Sequence, residues 1–173
     1  MQKGFIQIYT GDGKGKSTAA MGLIVRALGN DFKIFFGQFM KNKTYSEIKT
    51  LKSLSKEQLR LEQFGTDRKV GDPVKEKDSE AALSGIELVQ SEMLTGEYDL
   101  IILDEFNLAA HYGLITEERV LEFLMKKPKH TELVFTGRNA PDWLIDRADL
   151  VTEMKMVKHY FKQGVQARKG IEF

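Results

Sequence analysis

The stretch Phe5-Ile6-Gln7-Ile8-Tyr9-Thr10-Gly11-Asp12-Gly13-Lys14-Gly15-Lys16-Ser17 decides how this chain is read. Phe5 to Tyr9 is short and β-rich, and reads as a buried strand. A glycine-rich turn follows. Ser17 to Leu28 then carries helix formers with apolar positions at Met21, Ile24, Val25 and Leu28, and Gly29-Asn30 is a suitable stop. Strand, glycine loop and helix is the setting of the pattern G-x-x-x-x-G-K-[ST], whose loop amides face phosphate oxygens. The helix adds free N–H groups and the positive end of its dipole. Gly15-Lys16-Ser17 supplies the closing half. Lys16 is expected to stand exposed to the ligand and neutralise phosphate charge, and the Ser17 hydroxyl to ligate Mg²⁺ (or Mn²⁺). Thr10 occupies the position of the first glycine, with Gly11 and Gly13 inside the loop, so this is a variant. The bland alternative is a glycine turn without a ligand. The Gly-Lys-Ser/Thr triplet alone arises by chance in about one chain in ten of this length, and with Gly11 and Gly13 in roughly one in a thousand.

Outward from the loop, β-like and helical patterns alternate. Lys33 to Phe39 reads as a strand, Tyr45 to Leu54 as a helix, and Leu59 to Phe64 as a third strand. Gly65 to Lys77 is polar, holds Gly71-Asp72-Pro73 and reads as a loop. At 13 residues it is long for a compact domain, and long loops are often functional. Ser79 to Leu94 is a helix closed by Thr95-Gly96. Leu100-Ile101-Ile102-Leu103 is an apolar run expected of a strand covered on both faces. Thr116 caps a helix through Lys126, Glu132 to Thr136 is a strand, and Pro141 opens a short helix to Arg147. Leu150 to Met154 is a late strand, and Gln163-Gly164 a turn in the tail. The alternation predicts one α/β domain over residues 1–173, a phosphate-loop, three-layer fold with a mainly parallel sheet.

Asp104-Glu105 ends the apolar strand, where ligands of such folds bind. An acid there can hold the Mg²⁺ of a bound nucleotide, directly or through water. The plain alternative is a solvated acid pair. These motifs define nucleotide binding and leave the reaction open, because one fold hosts many chemistries. An ATPase or small-molecule kinase would use Glu105 to orient water or a hydroxyl, and a regulator would bind ATP without turnover.

Bulk properties narrow the setting. Twenty-six Lys plus Arg against 25 acids leave a net charge of +1, with no basic footprint for nucleic acid. Hydrophobic residues make up 42%, enough for a core. The absence of cysteine excludes disulfides and thiolate metal sites and fits a reducing cytoplasm. No apolar stretch approaches the roughly 18 residues of a membrane span. Met1-Gln2-Lys3-Gly4 lacks the features of a signal peptide, so a cytoplasmic location is expected.

The residues also resemble one family. Thr10-Gly11-Asp12-Gly13-Lys14-Gly15-Lys16-Ser17-Thr18-Ala19-Ala20 is similar to the ATP loop of the ATP:corrinoid adenosyltransferases of the cobalamin pathway. Gln38-Phe39-Met40-Lys41, Leu103-Asp104-Glu105, Thr136-Gly137-Arg138-Asn139-Ala140-Pro141 and Ala148 to Met154 match further blocks in order. The tail is the most specific, with Val157-Lys158-His159, Phe161, Gly164-Val165, Ala167 and Gly170-Ile171. The resemblance implies transfer of the 5′-deoxyadenosyl group from ATP to the cobalt of a reduced corrinoid, with triphosphate leaving. It implies ATP bound in a reversed sense, so that the ribose C5′ is attacked. No protein nucleophile or general base is then needed, since cobalt(I) is itself the nucleophile. Thr10 and Gly11 to Thr18 carry over as ATP ligands, with Lys16 and Glu105 as the catalytic pair. Ser17 and Glu105 carry over as metal ligands, with Asp104 acting behind them. A homodimer and a reductant such as a flavoprotein are also implied.

Two departures stand out. Family members carry an N-terminal extension that covers the substrates, whereas here the first strand starts almost at once. They also carry a Phe and a Trp that displace the lower cobalt ligand. The corresponding segment here is Phe64-Gly65-Thr66-Asp67-Arg68-Lys69-Val70, where only Phe64 fits. Trp143 reads as packing. His111 and Tyr112 follow the acidic strand end and are candidates for the corrinoid pocket. His159 suits a site, dimer or structural role equally. Arg138 suits a phosphate contact or an ion pair equally. His130 reads as solvated.

Overall fold

The computed structural model describes residues 3–42, 46–54, 57–67 and 72–172. The elements follow in chain order: β1 (Ile6–Thr10), α1 (Lys16–Leu28), β2 (Ile34–Phe39), α2 (Ser46–Leu54), β3 (Leu59–Phe64), α3 (Glu76–Leu94) and β4 (Leu100–Asp104). After these come α4 (Phe106–His111), α5 (Glu117–Met125), β5 (Glu132–Thr136), α6 (Asp142–Ile145) and β6 (Leu150–Glu153). The six strands form one sheet in the order β3-β2-β4-β5-β1-β6, and every pairing is parallel.

Alternation along the strands builds two cores. Phe35, Ile101, Leu103, Leu133 and Phe135 face α3, α4, α5 and α6 with Ile86, Val89, Phe106, Phe123 and Leu144. Ile34, Phe36, Leu100, Ile102 and Val134 face the other way, onto Ala20, Ile24 and Ala27 of α1 and Ile48 and Leu51 of α2. That explains the unbroken apolar run of β4: a central parallel strand is covered on both sides and has no wet face. By contrast β6, at the sheet edge, is exposed throughout.

Two elements differ from expectation. Helix α3 begins at Glu76, three residues before Ser79, because the Asp78 carboxylate accepts from the Lys75 amide at 2.8 Å and so satisfies a free donor of the first turn. The loop ahead of it is correspondingly shorter. Helix α4 had no counterpart in the sequence reading. It spans only 6 residues and is held by burial of Phe106, Ala109 and Ala110 rather than by a long apolar period. Tyr45, Arg68 to Val70 and Gly71 lie outside the described residues.

The order of the strands puts β1, β4, β2 and β5 at the centre, so their carboxyl ends share one edge. Just past three of these ends the chain turns through a left-handed residue that is not glycine: Met40 (φ 56°), Glu105 (φ 57°) and Asn139 (φ 53°). Such dihedrals carry strain, and strain of this kind gathers at functional sites.

Candidate active site

The glycine loop lies between β1 and α1. Gly15 precedes the helix at φ 124°, a value that a side chain resists. It offers no side-chain cap, and the first turn of α1 contains no acid. The helix N-terminus therefore keeps its free amides and its positive partial charge for an anion.

Lys16 is only 9% exposed, and its ammonium donates to the carbonyls of Gly11 (2.6 Å) and Gly13 (2.7 Å). The expectation of an exposed lysine is thus corrected: an ammonium with three donors folds back on the nearest loop carbonyls. Its pKa lies below the usual lysine value because burial, and then the charge of Arg138, disfavour the cation. Arg138 itself is exposed and makes no ion pair among the described residues, and its charge is felt at Lys16.

Asp104 organises the opposite wall. It is fully buried at the end of β4. Its Oδ1 accepts from the hydroxyls of Ser17 (2.7 Å) and Thr136 (2.6 Å). Its Oδ2 accepts from Gln38 (3.0 Å) and Lys41 (2.9 Å). A carboxylate has about four acceptor positions, and these donors fill them. Burial pushes the Asp104 carboxyl up, yet Lys41 and the two hydroxyls outweigh it and hold it below the ordinary range. Lys41 is held above the usual lysine value, since the charges of Asp104 and Glu105 outweigh its own desolvation.

Glu105 is the neighbouring acid with the opposite fate. Its backbone amide donates to Thr136 (3.2 Å), whereas its carboxylate makes no hydrogen bond or ion pair among the described residues. Burial and then the Asp104 charge raise its pKa. A half-buried carboxylate without a partner among the described residues, next in sequence to the aspartate that holds the Ser17 hydroxyl, suits a hard cation bound through oxygen. No cluster of three or more His, Asp or Glu that could hold a metal by itself occurs among the described residues. That donor set fits a Mg²⁺ carried in with nucleotide phosphates better than a resident ion in a protein cage.

Other sequence candidates sort by contact. Asp12, Lys14 and Thr18 are exposed on the loop and the first turn. The Thr10 hydroxyl accepts from the Ala140 amide (3.2 Å), which ties the loop to the segment after β5. The Gly13 amide donates to the Met154 carbonyl (2.6 Å), so that amide faces the tail. A Cβ on Gly11 or Gly13 would come within 2.6 or 2.5 Å of the Met154 oxygen. Close approach at these two glycines is therefore made by the chain's own tail.

Phe64 sits over Gly85 of α3 and against Phe39, with ring centroids 5.1 Å apart. Phe64, the one aromatic of that segment, is half-buried and packs on the core where β3 and α3 meet. Trp143 packs on the same core. His111 and Tyr112 are exposed at the end of α4. His159 accepts from the Phe161 amide (3.1 Å) as a local cap. His130 is half-buried and hydrogen-bonded to the Gly96 carbonyl, which replaces the solvated reading.

Sequence reasoning missed Gln38, Lys41 and Thr136 as the donors around Asp104, and Asn107. Asn107 is buried and donates to the carbonyls of Tyr9 (3.2 Å) and Gly137 (3.1 Å), joining β1 to the loop after β5. The signal for the first three lay in the matched blocks at 38–41 and 136–141, whose side chains converge here from separate strands.

A strand-loop-helix cradle beside a buried strand-end aspartate defines a nucleotide-binding α/β protein of the phosphate-loop class. The family described as ATP:corrinoid adenosyltransferase BtuR/CobO/CobP matches residues 2–173, and this chain belongs to it. It is 37% identical over 183 residues to a corrinoid adenosyltransferase of Sinorhizobium sp, covering 99% of this chain and 81% of the relative. It is 32% identical over 172 residues to one of Pseudomonas aeruginosa, covering 99% and 85%. The corrinoid adenosyltransferase CobA of Salmonella typhimurium is 30% identical over 172 residues, covering 99% and 87%.

Proposed function

We propose that this protein transfers the 5′-deoxyadenosyl group of ATP to the cobalt of a reduced corrinoid and releases triphosphate. The observation that carries this reading is the family match over residues 2–173, on a chain whose site joins a phosphate cradle to a strand-end acid pair. In the reaction a cobalt–carbon bond forms at C5′ and the C5′–oxygen bond breaks. Its electron pair leaves with the triphosphate, while the cobalt is oxidised by two electrons.

The protein's part is position and charge. The free amides at the start of α1 and the Lys16 ammonium bind the leaving triphosphate, with Thr10 and Gly11 to Thr18 framing it. For this, Lys16 exchanges the Gly11 and Gly13 carbonyls for phosphate oxygens. Ser17 and Glu105 hold Mg²⁺ (Mn²⁺ in substitution), which offsets negative charge on the phosphates. Asp104 orients the Ser17 hydroxyl, and so acts on the metal through it. No general base enters, since cobalt(I) is itself the nucleophile and carries no proton.

The same reading takes residues 1–173 as one working domain in the cytoplasm, paired as a homodimer and served by a reductant such as a flavoprotein. Anaerobic incubation with MgATP and a chemically reduced corrinoid tests the reaction. Adenosylcorrinoid and intact triphosphate are expected in equal amounts. ADP and phosphate without adenosylcorrinoid would instead establish γ-phosphoryl transfer.

A further inference from the structure

The end of the chain returns to the phosphate loop. Met154, directly after β6, donates to the Thr10 carbonyl (2.8 Å) and accepts from the Gly13 amide (2.6 Å). These bonds carry the β1–β6 ladder into the loop itself. Beyond them, a 3₁₀ turn at Tyr160–Gln163 and the segment to Glu172 lie against Lys14.

Glu172 is the centre of this contact. Its Oε1 accepts from Lys14 Nζ (2.8 Å), from Arg168 Nη2 (3.2 Å) and from the Tyr160 hydroxyl. Its Oε2 accepts from the Arg168 amide (2.7 Å) and Arg168 Nε (3.3 Å). Lys14 Nζ also donates to the Tyr160 hydroxyl (3.2 Å), and the Arg168 guanidinium lies 4.9 Å from the Tyr160 ring centre. Arg168, Lys14 and Tyr160 hold the Glu172 carboxyl well below the usual carboxylate range.

A lone exposed ion pair adds little to stability. This carboxylate is different in kind, because a guanidinium, an ammonium and a phenol converge on it and fix its direction. What it fixes is a loop lysine two residues before Lys16. Without Glu172, Lys14 would carry an unbalanced charge on a flexible stem beside the cradle, and the loop would lose its side-chain anchor to the tail.

We propose that Glu172 is a positioning residue which, through Lys14, holds the phosphate loop in the geometry that receives the triphosphate of ATP. The inference rests on the nucleotide-binding part of the proposed function and assigns a role to the tail that the chemistry alone does not require. Tyr160 and Arg168 serve the same end by orienting the Glu172 carboxylate.

The test uses the whole protein and three variants, Glu172→Gln, Lys14→Met and the two combined. MgATP affinity is read by calorimetric titration, and KM and kcat from adenosyl transfer. Glu172→Gln is expected to weaken MgATP binding and raise the KM for ATP about tenfold, with kcat altered by less than about twofold. Because Glu172 acts through Lys14, it should have no further effect once Lys14→Met is present. Unchanged affinity in Glu172→Gln, or an equal loss in the Lys14→Met background, overturns the inference. Should Glu172→Gln fail to fold, Tyr160→Phe removes one donor of the cluster and is expected to weaken binding about threefold. Wild-type affinity in that variant is equally fatal. Binding is read apart from product, so the two claims separate. Affinity that follows Glu172 without adenosyl product removes the proposed reaction and sustains the positioning role.

Discussion

At the residue scale, the site depends on two acids that adjacent positions treat in opposite ways. Asp104 has every acceptor position filled and is held below the ordinary carboxylate range, whereas Glu105 is half-buried and without a partner among the described residues. Glu105→Ala should therefore raise the Mg²⁺ concentration needed for half-maximal adenosyl transfer by about tenfold or more, since even indirect metal partners contribute that much. An unchanged Mg²⁺ titration would remove the acid from the metal's surroundings. Lys16 gives a sharper expectation. Among the described residues its ammonium donates only to loop carbonyls, so Lys16→Ala should keep the far-ultraviolet circular dichroism of the fold. Turnover of ATP should fall about a hundredfold or more, the usual scale for removing a donor to a developing negative charge. Full activity in that variant would contradict the cradle assignment.

At the scale of elements, the site is the place where four strand ends and two loops are locked together. Thr10 to Ala140, Asn107 to Tyr9 and Gly137, and Thr136 to Asp104 connect β1, β4 and β5 by side chains. On the other flank the fit of β3 against α3 depends on Gly85, where a Cβ would lie 2.5 Å from the Phe64 ring. Gly85→Ala is expected to destabilise the protein by about 1–3 kcal/mol through overpacking, read as a lowered midpoint in chemical denaturation. Stability equal to the unaltered protein would mean that Phe64 is free to move, and the aromatic would return to consideration as a corrinoid contact.

For the molecule as a whole, ligand binding and folding are linked. In the proposed function ATP is held between the start of α1 and the carboxyl edge of the sheet, so it would bind the folded state alone. MgATP without corrinoid, at about a hundred times its Kd, should stabilise the fold by about 2.7 kcal/mol. For a domain of this size that is a rise in Tm of roughly 5–10 °C, measurable by calorimetry. Absence of any MgATP-dependent shift would count against the nucleotide site.

Some of this was settled by local chemistry alone. Gly15-Lys16-Ser17 between a β-rich run and a helical period favoured a phosphate cradle over a plain glycine turn, because few other contexts combine those dihedral freedoms with a lysine and a hydroxyl. The apolar run of β4 and its terminal Asp104-Glu105 were equally plain, since a doubly covered parallel strand must be apolar and must end where the fold's ligand lies. The family followed from blocks that recur in order along the chain. Contacts between distant segments were beyond reach of any local pattern. Nothing in the spacing of Gln38, Lys41 and Thr136 says that they meet on Asp104, or that Phe64 faces Gly85. Helix α4 is too short to show a period, and its formation follows from burial under β4 and β5. The glycine loop belongs to both categories. Its amino acids announced a phosphate cradle, but only the folded chain brought Met154 and Glu172 against it, because side chains more than a hundred residues apart acquire neighbours through sheet order.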